Sequence, residues 1–231
     1  MPLIDLQGYG PLLLQGAKLT IYVGACSMVL AIVLGLIGVL GQLSKSPVVR
    51  FLVNTYTTVV RGIPELVLIL LVYYGVPTLI QDVSAALGSP VYVALDPFIS
   101  GTATIGFIYG AFSTEVFRGA YLAVPKGQLE AARACGMSGA LTFRRITLPQ
   151  MMRYALPGLG NVWMVLIKAT ALISVIQLPE LMRNADIAAR NTRLPFTFFF
   201  AASLIYLAIT IVSNIVQQWA EKRASRGVRG A

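Results

Sequence analysis

The run 17–41 constrains this chain more than any other stretch. It holds 25 residues, and its only charge, Lys18, stands at the edge, from where a lysine stem can snorkel to the interface. About 20 predominantly apolar residues cross the ~30 Å hydrocarbon core as a helix, so the run is long enough to span. Four further apolar regions follow at 56–80, 98–117, 154–176 and 195–219. The expected fold is therefore an all-α membrane protein, one domain over 1–231 with five transmembrane helices. Composition agrees: 57% of the chain is hydrophobic, 12% is charged and the mean hydropathy is +0.76. A soluble domain carries roughly twice that charged fraction.

Several chemistries are excluded or displaced by what the chain lacks. It has no histidine, and its two cysteines, Cys26 inside a span and Cys135 in a polar loop, are not placed to pair. No phosphate-cradling G-x-x-x-x-G-K-[ST] occurs, so any ATP belongs to a partner. A net charge of +9 on a soluble chain would point to nucleic acid; here loop topology explains it, and no nucleic-acid partner is expected. Lys and Arg number twelve across the connector after the first span, the region 118–153 and the C-terminal tail. Only Arg183, Arg190 and Arg193 fall on the other side. The polar loop and C-terminus are thus expected inside the cell and the N-terminus outside. Residues 1–16 contain no Lys or Arg and no short apolar core before a cleavage site, and read as mature protein. The end of the tail, from 221 onward, reads as basic and mobile.

The second apolar region is interrupted by Arg61-Gly62-Ile63-Pro64-Glu65. The apolar stretch beyond it, 66–80, gives about 22 Å of helix at ~1.5 Å per residue, short of a full crossing. The expectation is a short helix whose first turn lies beneath the membrane surface, the kind of discontinuity that marks transporter binding sites. Glu65 falls in that first turn, where a helix N-terminus favours a carboxylate. An ionisable group inside a span is a functional candidate by default. Two readings stand: Glu65 attracts a cationic group on a substrate, or it pairs with Arg61 four residues earlier. On the fourth span Asn161, Met164, Val165 and Lys168 share one helical face. Asn161 suits the backbone groups of an amino acid. Lys168 suits a carboxylate, or serves as helix glue by pairing with Glu65 or Glu115. Glu115 and Arg118 read as interfacial structure.

Between the third and fourth spans runs a polar segment, 119–153. Pro125 starts a short helix, Gly136 stops it, Ser138 caps a second, and Pro149 is expected to end that one. Glu130-Ala131-Ala132, Gly136, Ile146, Leu148 and Pro149 follow the spacing E-A-A-x3-G-x9-I-x-L-P. That spacing resembles the cytoplasmic coupling (EAA) loop of ABC-importer permeases, which docks on an ATPase subunit. Read without the resemblance, the pair of helices fits equally an amphipathic element lying on the membrane.

The likeness extends over nearly the whole chain. Arg61 to Leu66, Gly119 to Glu130, and Ala155 to Gly158 with Asn161 are similar to polar amino-acid permeases, nearest to the Q-type subunit of histidine, arginine, lysine, ornithine or opine importers. The resemblance implies a type I importer permease fold and a substrate site at Glu65, Gly62, Pro64, Asn161 and Met164. It implies ATPase docking through Glu130, Ala131, Ala132, Gly136, Ile146, Leu148 and Pro149. It also implies a homologous M-type partner in a heterodimer, two ATPase subunits that bind the ATP and its Mg, and a periplasmic binding protein. The cargo would be a cationic amino acid, and the seat a bacterial inner membrane, in contact with its lipid. No cofactor or metal is expected on this chain, and no catalysis. At Lys168-Ala169-Thr170-Ala171-Leu172 the chain departs from the family's usual Asp and Ser, which implies two unequal halves. An ion-coupled secondary carrier is the alternative; it would need an internal repeat or a protonatable relay, neither of which stands out here. A structural scaffold is disfavoured by the broken helix.

Overall fold

The computed structural model describes residues 6–224. They form α1 (Gly10–Gln42), α2 (Pro47–Gly62), α3 (Glu65–Leu70), α4 (Val76–Ala86), α5 (Pro97–Leu122), α6 (Lys126–Ala134), α7 (Gly139–Thr142), α8 (Leu148–Ala169), α9 (Leu181–Thr192) and α10 (Pro195–Ala224). No strand occurs among the described residues. Single π turns, Leu71–Gly75 and Phe143–Thr147, splice α3 to α4 and α7 to α8, and a 3₁₀ turn, Thr170–Ile176, extends α8. The tail expected to be mobile from 221 begins instead as the last residues of α10, 221–224, and the rest of it lies outside the described residues.

Four helical stretches are long and apolar enough to cross a membrane: Gly10–Gln42, Glu65–Ala86, Gly139–Ile176 and Pro195–Ala224. The fifth span is α5, 26 residues long but diluted by glycine, serine and threonine. Those small residues are why it sits at the centre. Thirteen of its residues are buried, and α1 lies along it at very short range. A Cβ on Gly35 would stand 2.6 Å from Ser113 Cβ, and one on Gly106 would stand 2.6 Å from Leu30 Cδ2. Close approach of this kind holds spanning helices together by van der Waals contact, since lipid offers no hydrophobic drive between them. One core joins α1, α2, α3, α5 and α8 through Val23, Val60, Ile69, Tyr109 and Leu166. A second packs Leu13 of α1 and Phe198 of α10 on Leu181 and Ala185 of α9. A third sits where the polar segment meets the spans, around Phe117, Val124, Met151 and Leu159.

Several sequence expectations change. The short second span is not short: helix continues from Glu65 to Ala86, 22 residues or about 33 Å, a full crossing. The polar Gln81 and Asp82 are carried inside this helix, whose turns run on through the π turn at Leu71–Gly75. The break before it is real. Ile63 and Pro64 are extended, with ψ 137 and 133, as a residue ahead of proline prefers. On its N-terminal side stands a separate helix, α2, capped by Ser46 and covering most of the expected connector 42–54.

Pro149 does not end the helix before it. Residues Gly139–Ile176 are one continuous helical stretch. The wider π turn supplies the Leu148 N–H to Phe143 O bond, and Pro149 enters at the first turn of α8, where its missing donor is tolerated. The polar connector 177–194 holds α9, whose start is built on Glu180.

Candidate functional site

At the break between α2 and α3, the first turn of α3 presents Glu65, half-buried, directly after Pro64. The Tyr109 hydroxyl donates to Glu65 Oε1 at 2.8 Å, and Tyr109 itself is 2% exposed. Oε2 of Glu65 accepts no hydrogen bond among the described residues. Arg61 does not pair with Glu65. Its guanidinium lies over the Phe112 ring, 5.3 Å from the centroid, and Phe112 stacks on Tyr109. A cation over an aromatic face is attracted by the ring quadrupole, so Arg61 is held on α5 while the carboxylate keeps one oxygen open. The two charges are thus kept apart by two aromatic rings.

Tyr109 and Phe112 are neighbours of the Glu65 carboxylate that the sequence reading passed over. Their signal was available: two aromatics three residues apart, in a span rich in glycine, serine and threonine, on a helix that must face the bundle.

Gly62 closes α2, exposed and with open space where a Cβ would stand. On α8, Asn161 is exposed and Met164 half-buried; neither hydrogen-bonds to Glu65, so the structure does not join them to it directly. Lys168 is exposed and forms no ion pair among the described residues. Its expected partners are engaged elsewhere or apart: Glu115 pairs with Arg118 at 2.9 Å and accepts from Gln42 at 2.9 Å.

The polar segment forms the second candidate surface. α6 ends in a paired C-terminal motif, Met137 N–H to Ala132 O at 3.0 Å and Gly136 N–H to Arg133 O at 2.9 Å. Gly136 adopts φ +76, which a residue without Cβ accepts freely. Ser138 caps α7. Glu130, Ala131 and Gly136 are exposed, Ala132 is buried, and Ile146 and Leu148 are half-buried beside exposed Pro149. Gln150 donates to Gln128, tying α6 to α8.

Residues 27–226 match the family model described as binding-protein-dependent transport system inner membrane component. The chain belongs to that family. It is 45% identical over 226 residues to the histidine/lysine/arginine/ornithine transport system permease protein HisQ of Escherichia coli (strain K12), covering 98% of this chain and 99% of that protein. It is 44% identical to the octopine transport system permease protein OccQ of Rhizobium radiobacter, over 96% of this chain and 94% of that one. Among solved structures, an amino acid ABC transporter crystallised with histidines superposes with TM-score 0.82 at 29% identity, over 95% of this chain and 99% of that one. An inward-facing MetNI methionine transporter, at 16% identity and TM-score 0.72, shares the fold. As a permease of this family, the chain is a multi-pass membrane component of transport and not the catalyst of a reaction.

One buried acid of this permease was also missed. Glu180, 0% exposed, caps α9 by accepting from the Met182 N–H at 2.9 Å and the Arg183 N–H at 2.7 Å. It accepts further from the Tyr206 hydroxyl of α10 at 3.1 Å and, at 3.4 Å, from Thr20 of α1. Burial pushes its carboxyl up to about 7, with those hydrogen bonds pulling back. The neutral acid is then favoured in the fold relative to the unfolded chain. This contribution is complete below the ordinary value of 4.5 and is lost as pH rises through about 7. The permease should therefore melt lower at pH 8 than at pH 5, by an amount on the order of 3 kcal/mol. Glu180→Gln should flatten that dependence. Parallel melting curves of wild type and variant from pH 5 to 8, read by intrinsic fluorescence in detergent, would count against it.

Proposed function

We propose that this permease carries cationic amino acids, histidine, arginine, lysine, ornithine or related opines, inward across a bacterial inner membrane at the expense of a partner's ATP. The observation that carries the reading is Glu65: an acid at a helix start within the spanning region, one oxygen held by Tyr109 and the other open. A guanidinium, imidazolium or ammonium group satisfies such an oxygen by a charge-assisted hydrogen bond. Gly62 and Pro64 keep the backbone broken beside it, Asn161 offers an amide to the α-amino or α-carboxylate group, and Met164 offers a soft apolar wall to the stem. The naming of relatives for histidine, lysine, arginine, ornithine and octopine transport supports the same cargo.

In this reading the chain pairs with a homologous M-type permease, two ATPase subunits and a periplasmic binding protein, with its N-terminus outside and its C-terminus in the cytoplasm. ATP and its Mg sit on the ATPase. Glu130, Ala131, Ala132 and Gly136 meet the ATPase, while Ile146, Leu148 and Pro149 hold the docking segment to α8. Closure of the ATPases pushes α6 and α7, and the spans open outward to receive substrate. The test is uptake of labelled arginine into vesicles holding the whole complex. Uptake should require ATP and the binding protein, and histidine or lysine should compete where glutamate does not. Transport by this chain with no ATPase present, or equal competition by acidic amino acids, refutes the proposal.

A further inference from the structure

The seam between α8 and α10 holds three cavities in succession, and they change character along its length. At the end nearest α6 lies a cavity of about 770 Å³. Its wall includes Gln128 of α6, Gln150, Arg153 and Tyr154 of α8, and Glu221 and Lys222 of α10. Arg153 is exposed and makes no ion pair among the described residues. The one acid, Glu221, accepts from the Gln217 amide at 2.8 Å. The wall thus carries two cations, Arg153 and Lys222, and one acid. Adjacent to this chamber, one turn along both helices, is a cavity of about 490 Å³ walled by Met28, Ile32, Leu159, Trp163, Val212 and Val216. A third, of about 310 Å³, continues past Trp163 and Val212 to Ile21 and Ala208.

The geometry points to a site for one anionic phospholipid, its phosphate at Arg153 and Lys222 and its acyl chain along the apolar groove. Three features fit this occupant. The cationic chamber matches a phosphate in charge, and its amides match the ester and glycerol oxygens. The groove that leaves it is apolar, as an acyl chain requires and a free anion does not. Trp219, 61% exposed with Arg223 over its ring, marks the headgroup level beside Lys222, since such aromatics collect at the membrane interface. With the cytoplasmic orientation proposed above, on which this inference rests for its leaflet, the lipid is drawn from the inner leaflet and touches both the docking helix and α8.

The test uses the purified complex in nanodiscs, with lipids that survive detergent extraction counted by native mass spectrometry. Dioleoyl-phosphatidylglycerol should be retained about tenfold over dioleoyl-phosphatidylcholine, and Arg153→Gln with Lys222→Gln should remove the preference. Ser213→Phe, which fills the groove and leaves both cations in place, should lower retention as well. Equal retention of the two lipids, or no response to either variant, overturns the site. Displacement by millimolar inorganic phosphate, with Ser213→Phe silent, overturns the lipid in favour of a free anion. ATP-driven arginine uptake by the same preparation separates the two proposals: uptake without lipid preference sinks only the lipid site, and absent uptake with preserved preference sinks only the transport reading.

Discussion

Glu65→Gln lowers ATP-driven arginine uptake about 30-fold or more, the loss expected when one partner of a desolvated charge pair is removed. Gln keeps the length of the side chain and can still accept from Tyr109, which bonds Glu65 Oε1 at 2.8 Å in the wild type. What vanishes is the charge, together with the open anionic oxygen that a substrate cation would share. Selectivity should move with rate: glutamine, neutral and isosteric in its stem, should compete better against the variant than against wild type. Tyr109→Phe provides the control for positioning. It removes the hydrogen bond but leaves the acid, so the apparent KM should rise several-fold while the preference for cations persists. Initial rates with a panel of competitors decide the matter. Unchanged rate and unchanged selectivity in Glu65→Gln would take this residue out of the substrate path.

Much of this arrangement was legible in the residues, and the limits were physical. The apolar runs pointed to the long helices, because a bilayer fixes length and composition together, although the second of them lies at 65–86 and not at 56–80. The stop at Gly136 and the cap at Ser138 were readable because each is a local backbone requirement, met by one residue type. Pro64 was readable for the same reason. Pro149 was not: the same residue ends a helix or enters one according to whether the preceding turn widens, and the π turn Phe143–Thr147 has no local marker. The length of the second span failed similarly, since Gln81 and Asp82 look like loop residues until a helix carries them outward. Glu65 stood out by being charged in apolar surroundings, but its partner did not. Arg61 is four residues away in sequence, whereas Tyr109 is 44 away and was supplied by packing of α3 on α5. Glu180 was hidden likewise, for its donors come from α1, α9 and α10 at once.

Glu130→Lys should reduce uptake at least tenfold while leaving the permease in the membrane at normal abundance, because it reverses the charge of an exposed side chain that makes no ion pair among the described residues. Gly136→Arg should act more severely. At φ +76 an L side chain pays roughly 1–2 kcal/mol, and the arginine projects from the corner between α6 and α7. Both positions are exposed, so Glu130→Lys should leave stability in detergent nearly unchanged, and Gly136→Arg should lower it by no more than that backbone cost. The consequence falls on transmission, and the continuity of the helix explains why. α6 is fastened to α8 by the Gln128–Gln150 hydrogen bond and by Leu129 and Leu148 packed around Phe117 and Met151. From α7 the backbone runs unbroken to Ile176, passing Asn161 and Met164 on the way. A displacement at the docking corner is therefore passed through continuous helix to the face proposed to meet substrate, with the π turn and Pro157 as the points where that helix can bend. A break at Pro149 would have decoupled the two. The measurement is paired: ATPase retained on the purified permease, and arginine uptake by the same sample. Lost uptake with weakened ATPase retention supports docking at this corner, whereas normal uptake in both variants refutes it.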